Sequence, residues 1–251
     1  MITENEFEKY SLDWFRNEGY EYIYGPDIAH DGISPERKDY SQVILTGRLL
    51  SALQNINPHI PSSILEEVIH TLSHLNHPNP IQNNHSFHRY LLDGVPVEYN
   101  KDVTKLADHV RLIDFNNPDN NQFLVVNQFT VRGPRMTRRP DIVVFINGLP
   151  IALIELKNPA DEDADIWDAF NQIQTYKEQI SDLMVFNEAI VVSDGITARI
   201  GSLTSNKERF LPWRTIKNEH DKPLLEYELE KVVKGFFNHE LLLDYIRYFI
   251  L

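Results

Sequence analysis

The stretch RPDIVVFINGLPIALIELK, from Arg139 to Lys157, decides how the rest of the chain is read. Val143, Val144, Phe145 and Ile146 fill one apolar segment, and Ile151, Ala152, Leu153 and Ile154 fill a second. Asn147-Gly148 between them is a hairpin signal, so the stretch predicts two strands joined by a tight turn. Asp141, Glu155 and Lys157 interrupt this apolar frame. A buried charge without a partner is costly, so something must compensate the three, and a bound metal cation is one candidate.

Residues two apart on a strand share a face. Glu155 and Lys157 therefore point the same way, and Leu156 points to the other side, toward a helix expected over 164–181. Whether Asp141 joins them depends on the turn. A two-residue turn at Asn147-Gly148 pairs residue 141 with 154 and sets Asp141 on the opposite face from Glu155. One extra residue, in a three-residue loop over 147–149 or in a bulge, pairs 141 with 155. The extra residue is what we expect. Two carboxylates then converge beside one ammonium, a donor set that suits a hard cation such as Mg2+. Such a cation polarises a phosphate and lowers the pKa of a bound water, which Lys157 can orient.

Working outward, Thr3 and Glu6 form a capping box for a first helix, with Phe7, Tyr10, Trp14 and Phe15 on its apolar face and Gly19 at its end. Tyr20, Tyr22 and Tyr24 alternate as a short strand, broken by Gly25-Pro26. Ser34-Pro35 opens a second helix, which carries Val43, Ile44, Leu49, Leu50 and Leu53 up to Asn57-Pro58. A third helix is expected over 62–77, a loop from His77 to His85, and a short helix over 87–92 ended by Gly94. From Val95 the period changes to two, through Val97 and Tyr99, with Val110, Leu112 and Phe115 following. NNPDNN (116–121) is a polar turn and residues 122–131 a strong strand. Asp161, Glu162, Asp163 and Asp165 complement the start of the helix that carries Ile166, Phe170, Ile173 and Tyr176. Further strands are expected at 189–193 and 198–200, and helices at about 224–236 and 239–250.

At 251 residues the chain can build a sizeable core, as one large domain or a domain with a helical appendage. Its formal net charge of -13 argues against a generic high-affinity nucleic-acid binder, whose footprint is basic. It leaves room for an enzyme that meets DNA at a small metal-bridged site. No cysteine is present, which excludes disulfides and thiolate metal sites. No apolar run reaches transmembrane length and the acidic, polar N-terminus is not a secretory signal, so no membrane partner is expected and the cytoplasm is the default compartment.

Pro140-Asp141, Glu155 and Lys157 look like the PD-(D/E)xK nuclease signature. The context is more specific: NNQFLVVNQFTV, RRPDIVVFINGLPIALIELKNP, NQIQTYK and RFLPW resemble the N-terminal nuclease region of the restriction (motor) subunit of type I restriction-modification enzymes. Gln172 and Tyr176 match that family's QxxxY element, and the similarity is close over most of 115–215. The resemblance implies an α/β fold with a PD-(D/E)xK core, a central mixed sheet flanked by helices and an N-terminal helical elaboration. It divides the chain into an N-terminal helical part (1–95), a catalytic core (96–215) and C-terminal helices leading toward a motor domain (216–251). It implies Mg2+-dependent hydrolysis of double-stranded DNA, with Asp141 and Glu155 as metal ligands, Lys157 beside the nucleophilic water, and Gln172 and Tyr176 assisting. Modification and specificity subunits are the implied partners. No GxxxxGK[ST] phosphate loop occurs, so ATP is expected only through a motor domain beyond this N-terminal fragment.

Competing readings stand beside these. The three charges can form a structural ion-pair cluster, although the family pattern favours the site. Gln172 and Tyr176, one turn apart, orient phosphate or water, or simply pack a helix. In the family a glutamate of the first helix lies near the metal, which leaves Glu6 and Glu8 both open. Arg138 and Arg139, with Arg132 and Arg135, either contact DNA phosphates or form a solvated loop. His70, His74 and His77 have zinc-compatible spacing in the His-rich 59–88 region, but a solvated face is the preferred reading. The rival functions are a docking module that couples translocation to partner subunits, and a repair nuclease of the same fold.

Overall fold

The computed structural model describes residues 4–75, 77–101, 104–157, 166–216 and 227–250. The hairpin was expected to lie in the middle of the sheet, and it does. β7 (Ile142–Ile146) and β8 (Leu149–Leu156) occupy the two central positions of a six-stranded mixed sheet. In chain order the surrounding elements are α1 (Glu4–Asn17), β1 (Glu21–Tyr24), α2 (Thr46–Ile56), α3 (Ser62–Ser73), α4 (Pro80–Asp93), β2 (Val95–Lys101), β3 (Thr104–Val110), β4 (Phe123–Asn127), β5 (Val131–Arg132) and β6 (Thr137–Arg138). After the central hairpin come α5 (Ile166–Gln179), α6 (Ser181–Met184), β9 (Ala189–Ser193), β10 (Ala198–Gly201), α7 (Glu228–Lys231), a π-turn (Val232–Phe236) and α8 (His239–Tyr248). The sheet order is β1-β4-β7-β8-β9-β10, with β1 parallel to β4 and β8 parallel to β9. β4, β7, β8 and β9 are buried along their whole length, as near-continuous Val, Ile and Leu runs require. α5 packs on β8 and β9, and α1 packs beside β1. The fold is mixed α/β with helices flanking a central sheet.

The extra residue is a bulge, not a longer loop. Asn147 and Gly148 alone form the turn, with φ of 55° and 80°, the positive pair that a type I′ hairpin requires. Ile146 pairs with Leu149 and Phe145 with Pro150, but Val144 pairs with Ala152, so Ile151 is the inserted residue. Ile142 then pairs with Ile154, which sets Asp141 opposite Glu155.

Several expectations fail. Residues 34–45 are not helical, and helix α2 begins only at Thr46. That segment wraps around the buried Arg37, whose guanidinium donates to the carbonyl oxygens of Gln42 (2.7 Å), Thr130 (2.8 Å) and Tyr40 (3.0 Å) and stacks 3.9 Å over Phe129. Two carbonyls of the segment, those of Tyr40 and Gln42, thus turn toward one guanidinium and not along a helical ladder. Helix α3 stops at Ser73, which leaves His77 off its face. Helix α4 begins at Pro80, inside the stretch read as a loop, because the Asn79 side chain accepts from the Ile81 N–H and Pro80 sits in the first turn. Among the described residues, β2 and β3 form a separate two-stranded sheet. β4 ends at Asn127 because Gln128 turns to φ 54°.

Candidate active site

Asp141 immediately precedes β7, Glu155 is the penultimate residue of β8, and Lys157 follows it. Gln172 and Tyr176 lie one turn apart on α5, the helix that covers β8 and β9. All five meet at one end of the central hairpin. Asp141 Oδ2 accepts from the Leu156 N–H at 2.8 Å, so the carboxylate is fixed across the hairpin. Lys157 Nζ lies 3.7 Å from Glu155 Oε1 and donates to Gln172 Oε1 at 2.5 Å. Gln172 Nε2 donates to the Tyr176 hydroxyl at 2.7 Å, and Tyr176 lies near enough to Glu155 to feel its charge.

The direction of this circuit follows from its chemistry. An ammonium only donates, so the Gln172 carbonyl must face Lys157 and its NH2 must face Tyr176. The phenolic oxygen then accepts from Gln172, and its O–H is not used in that bond. Burial, then the charge of Glu155, push the Tyr176 hydroxyl well above the ordinary phenol range, and Asp141 adds to the effect. Tyr176 therefore stays protonated, a neutral hydroxyl beside the Glu155 carboxylate.

Arg138 lines the same concavity as Lys157, Gln172 and Tyr176, and its Nε donates to Gln179 Oε1 at 2.6 Å. Arg139, next along, is exposed. Of the two N-terminal glutamates, Glu6 is exposed and Glu8 is buried. Glu8 accepts from Asn127 Nδ2 (2.6 Å) and Gln128 Nε2 (2.7 Å), and the Gln128 N–H donates to the Asp141 carbonyl oxygen. Glu8 is thus the glutamate tied to the strand end that carries Asp141. Asn127 and Gln128 were read only as strand residues. Nothing in the apolar pattern marks them, although two amides in a row of valines were a visible irregularity. The acidic run Asp161, Glu162, Asp163 and Asp165 lies outside the described residues, as does Thr3 of the expected capping box.

Among the described residues no three His, Cys, Asp or Glu side chains cluster to hold a metal. His70 and His74 stack with ring centroids 4.1 Å apart, and His77 lies beyond the helix end. Asp141 opposite Glu155 supplies two hard oxygen donors, which fits Mg2+, an ion that keeps several waters and takes one or two carboxylates together with substrate phosphates.

The family described as "Type I restriction enzyme R protein N terminus" matches residues 1–209. The "Type I restriction enzyme HindI endonuclease subunit" of Haemophilus influenzae is 40% identical over 100% of this chain and 24% of that protein. A "Putative type I restriction enzyme MjaIXP endonuclease subunit" of Methanocaldococcus jannaschii is 32% identical over 97% of this chain and 25% of that protein. The chain spans about a quarter of the length of these curated relatives. With a family match over most of its length and a 40% identical relative along all of it, the chain belongs to the N-terminal region family of type I restriction enzyme R proteins.

Proposed function

We propose that the chain is the nuclease part of a type I restriction enzyme R subunit and hydrolyses phosphodiester bonds of double-stranded DNA with Mg2+. The observation that carries this reading is the convergence of Asp141, Glu155 and Lys157 at one end of the central hairpin, joined to Gln172 and Tyr176 by hydrogen bonds. Asp141 and Glu155 would hold the metal. When bound, the ion supplies charge stabilisation at the phosphate and a more acidic water. The chain's own groups set the geometry. The Leu156 N–H orients Asp141, and Tyr176 orients Glu155. Lys157, held by Gln172 and close to Glu155, directs a donor at the attacking water and at the charge that develops on the phosphate. Arg138, in the same concavity, and Arg139, exposed beside it, steer DNA phosphates to the site.

In this reading residues 1–95 and 96–215 form the nuclease domain, and 216–251 lead toward an ATP-driven motor outside this chain. The modification and specificity subunits supply sequence recognition, and the enzyme works in the cytoplasm. The test is cleavage by the assembled enzyme. Asp141→Ala or Glu155→Ala should abolish cutting while circular dichroism stays unchanged. Cleavage retained by either well-folded variant overturns the proposal.

A further inference from the structure

The hairpin formed by β5 and β6 stands beside the candidate site. Val131 pairs with Arg138 and Arg132 with Thr137, and the Gly133 N–H donates to the Met136 carbonyl oxygen at 2.9 Å, so Pro134 and Arg135 form the tip. One side is anchored. Val131 is buried, and Gly133 lies so close to the end of α5 that a Cβ would sit 1.8 Å from the Gln179 carbonyl oxygen. The bond from Arg138 to Gln179 fixes the returning strand at the same place. The other side faces outward: Pro134 and Arg135 are exposed, and Met136 is 45% exposed. Arg132 is set apart on the first strand of the hairpin, opposite Thr137.

A chain of net charge -13 thus gathers Arg135, Arg138 and Arg139 around an exposed thioether at the rim of the site. Phosphate binding alone needs only the guanidinium groups. An exposed Met beside Pro and Arg matches the apolar wedges that minor-groove proteins set against base steps, with arginines drawn to the negative potential of the groove. Met136 is five residues from Asp141, at most about 17 Å of extended chain, or about five base steps along one strand. We propose that the hairpin tip, Pro134 to Met136, enters the minor groove of the duplex within that distance of the scissile phosphate, with Met136 at the base edges and Arg135, Arg138 and Arg139 on flanking phosphates. The choice of DNA as the ligand rests on the nuclease reading above.

The chain has no cysteine, so Met136→Cys creates a single thiol at an exposed position. It is mixed with duplexes that carry a disulfide-activated tether in the minor groove, on guanine N2, or in the major groove, on cytosine N4. Minor-groove tethers should trap it at least tenfold better than major-groove tethers, and tenfold better than they trap a Thr204→Cys control, exposed outside the hairpin. Thr137→Cys, exposed and one residue on, is a second attachment point should the first variant misfold. Equal trapping from the two grooves, or none above the control, overturns the proposal. So does a thiol at 136 that crosslinks to a protein subunit and not to DNA in the assembled enzyme. The two readings separate cleanly. Lost groove preference with Asp141-dependent cleavage intact sinks the hairpin proposal alone. Minor-groove trapping without such cleavage supports the docking and sinks the nuclease reading alone.

Discussion

At the scale of single residues, the site is a one-way circuit. Lys157 can only donate, Gln172 passes that direction on to Tyr176, and Tyr176 stands beside the charge of Glu155. Each member fixes the next, so the ammonium and the carboxylate are held near one another without a tight direct ion pair; their separation is 3.7 Å. Tyr176→Phe keeps the ring that fills the core and removes only the link. Gln172 Nε2 loses its acceptor, which should lower stability by about 1–3 kcal/mol in urea unfolding. On the proposal that Glu155 holds the metal and Tyr176 orients it, cleavage by the assembled enzyme should fall by roughly 10–100-fold, with higher Mg2+ needed for half-maximal rate. A Phe variant that cuts at the wild-type rate and Mg2+ requirement would show that Tyr176 only packs the helix. The pairing of Gln172 with Tyr176 was legible as a QxxxY spacing. The circuit was not, because it closes between a strand end and a helix whose mutual placement no local pattern states.

At the scale of elements, the bulge matters more than the turn. A two-residue turn without Ile151 inserted would pair Asp141 with Ile154 and put Glu155 opposite Pro140. The turn itself is clamped from outside: the Gly148 carbonyl accepts from the Leu45 N–H, and Asn147 is bonded to Leu112, Asn121 and Gln122. Gly148→Ala meets two obstacles, the φ of 80° and a Cβ 2.5 Å from the Leu45 carbonyl oxygen. It should cost more than about 1 kcal/mol in chemical denaturation. A variant within about 0.5 kcal/mol of wild type would mean that the turn tolerates the change like an ordinary surface site. The buried strands and the need for one extra residue were readable from apolar runs and strand parity. The segment 34–45 was misread because Val43, Ile44 and Leu49 keep a helical spacing, while the residue that organises it, Arg37, bonds to Thr130, 93 positions away. Spacing reports local periodicity and is blind to such a partner.

At the scale of the whole molecule, the sheet carries buried charge at both ends. Opposite the candidate site, the N–H of Glu188 donates to the Ile151 carbonyl at the bulge, and its carboxylate meets His88 of α4 at 2.9 Å, both side chains buried. The hydrogen bond and the charge of Glu188 raise the His88 imidazole above its ordinary value of 6.5, despite the opposing effect of burial. Burial raises the Glu188 carboxyl above 4.5, outweighing the attraction of His88. Both groups bind protons more tightly when folded, so the folded state holds more protons than the unfolded chain and stability falls as pH rises. The Glu188 contribution is lost from pH 4.5 upward. The His88 contribution is complete below pH 6.5 and is lost through the raised imidazole value above it. One proton sets a maximum slope of about 1.4 kcal/mol per pH unit in the His88 window. Urea midpoints measured from pH 6 to pH 9 should therefore decline for the wild type. They should decline less for Glu188→Gln, which keeps an acceptor for His88 but removes the charge that raises it. Parallel curves for the two proteins would show that the pair does not titrate in this range and that the pH response of the fold resides elsewhere.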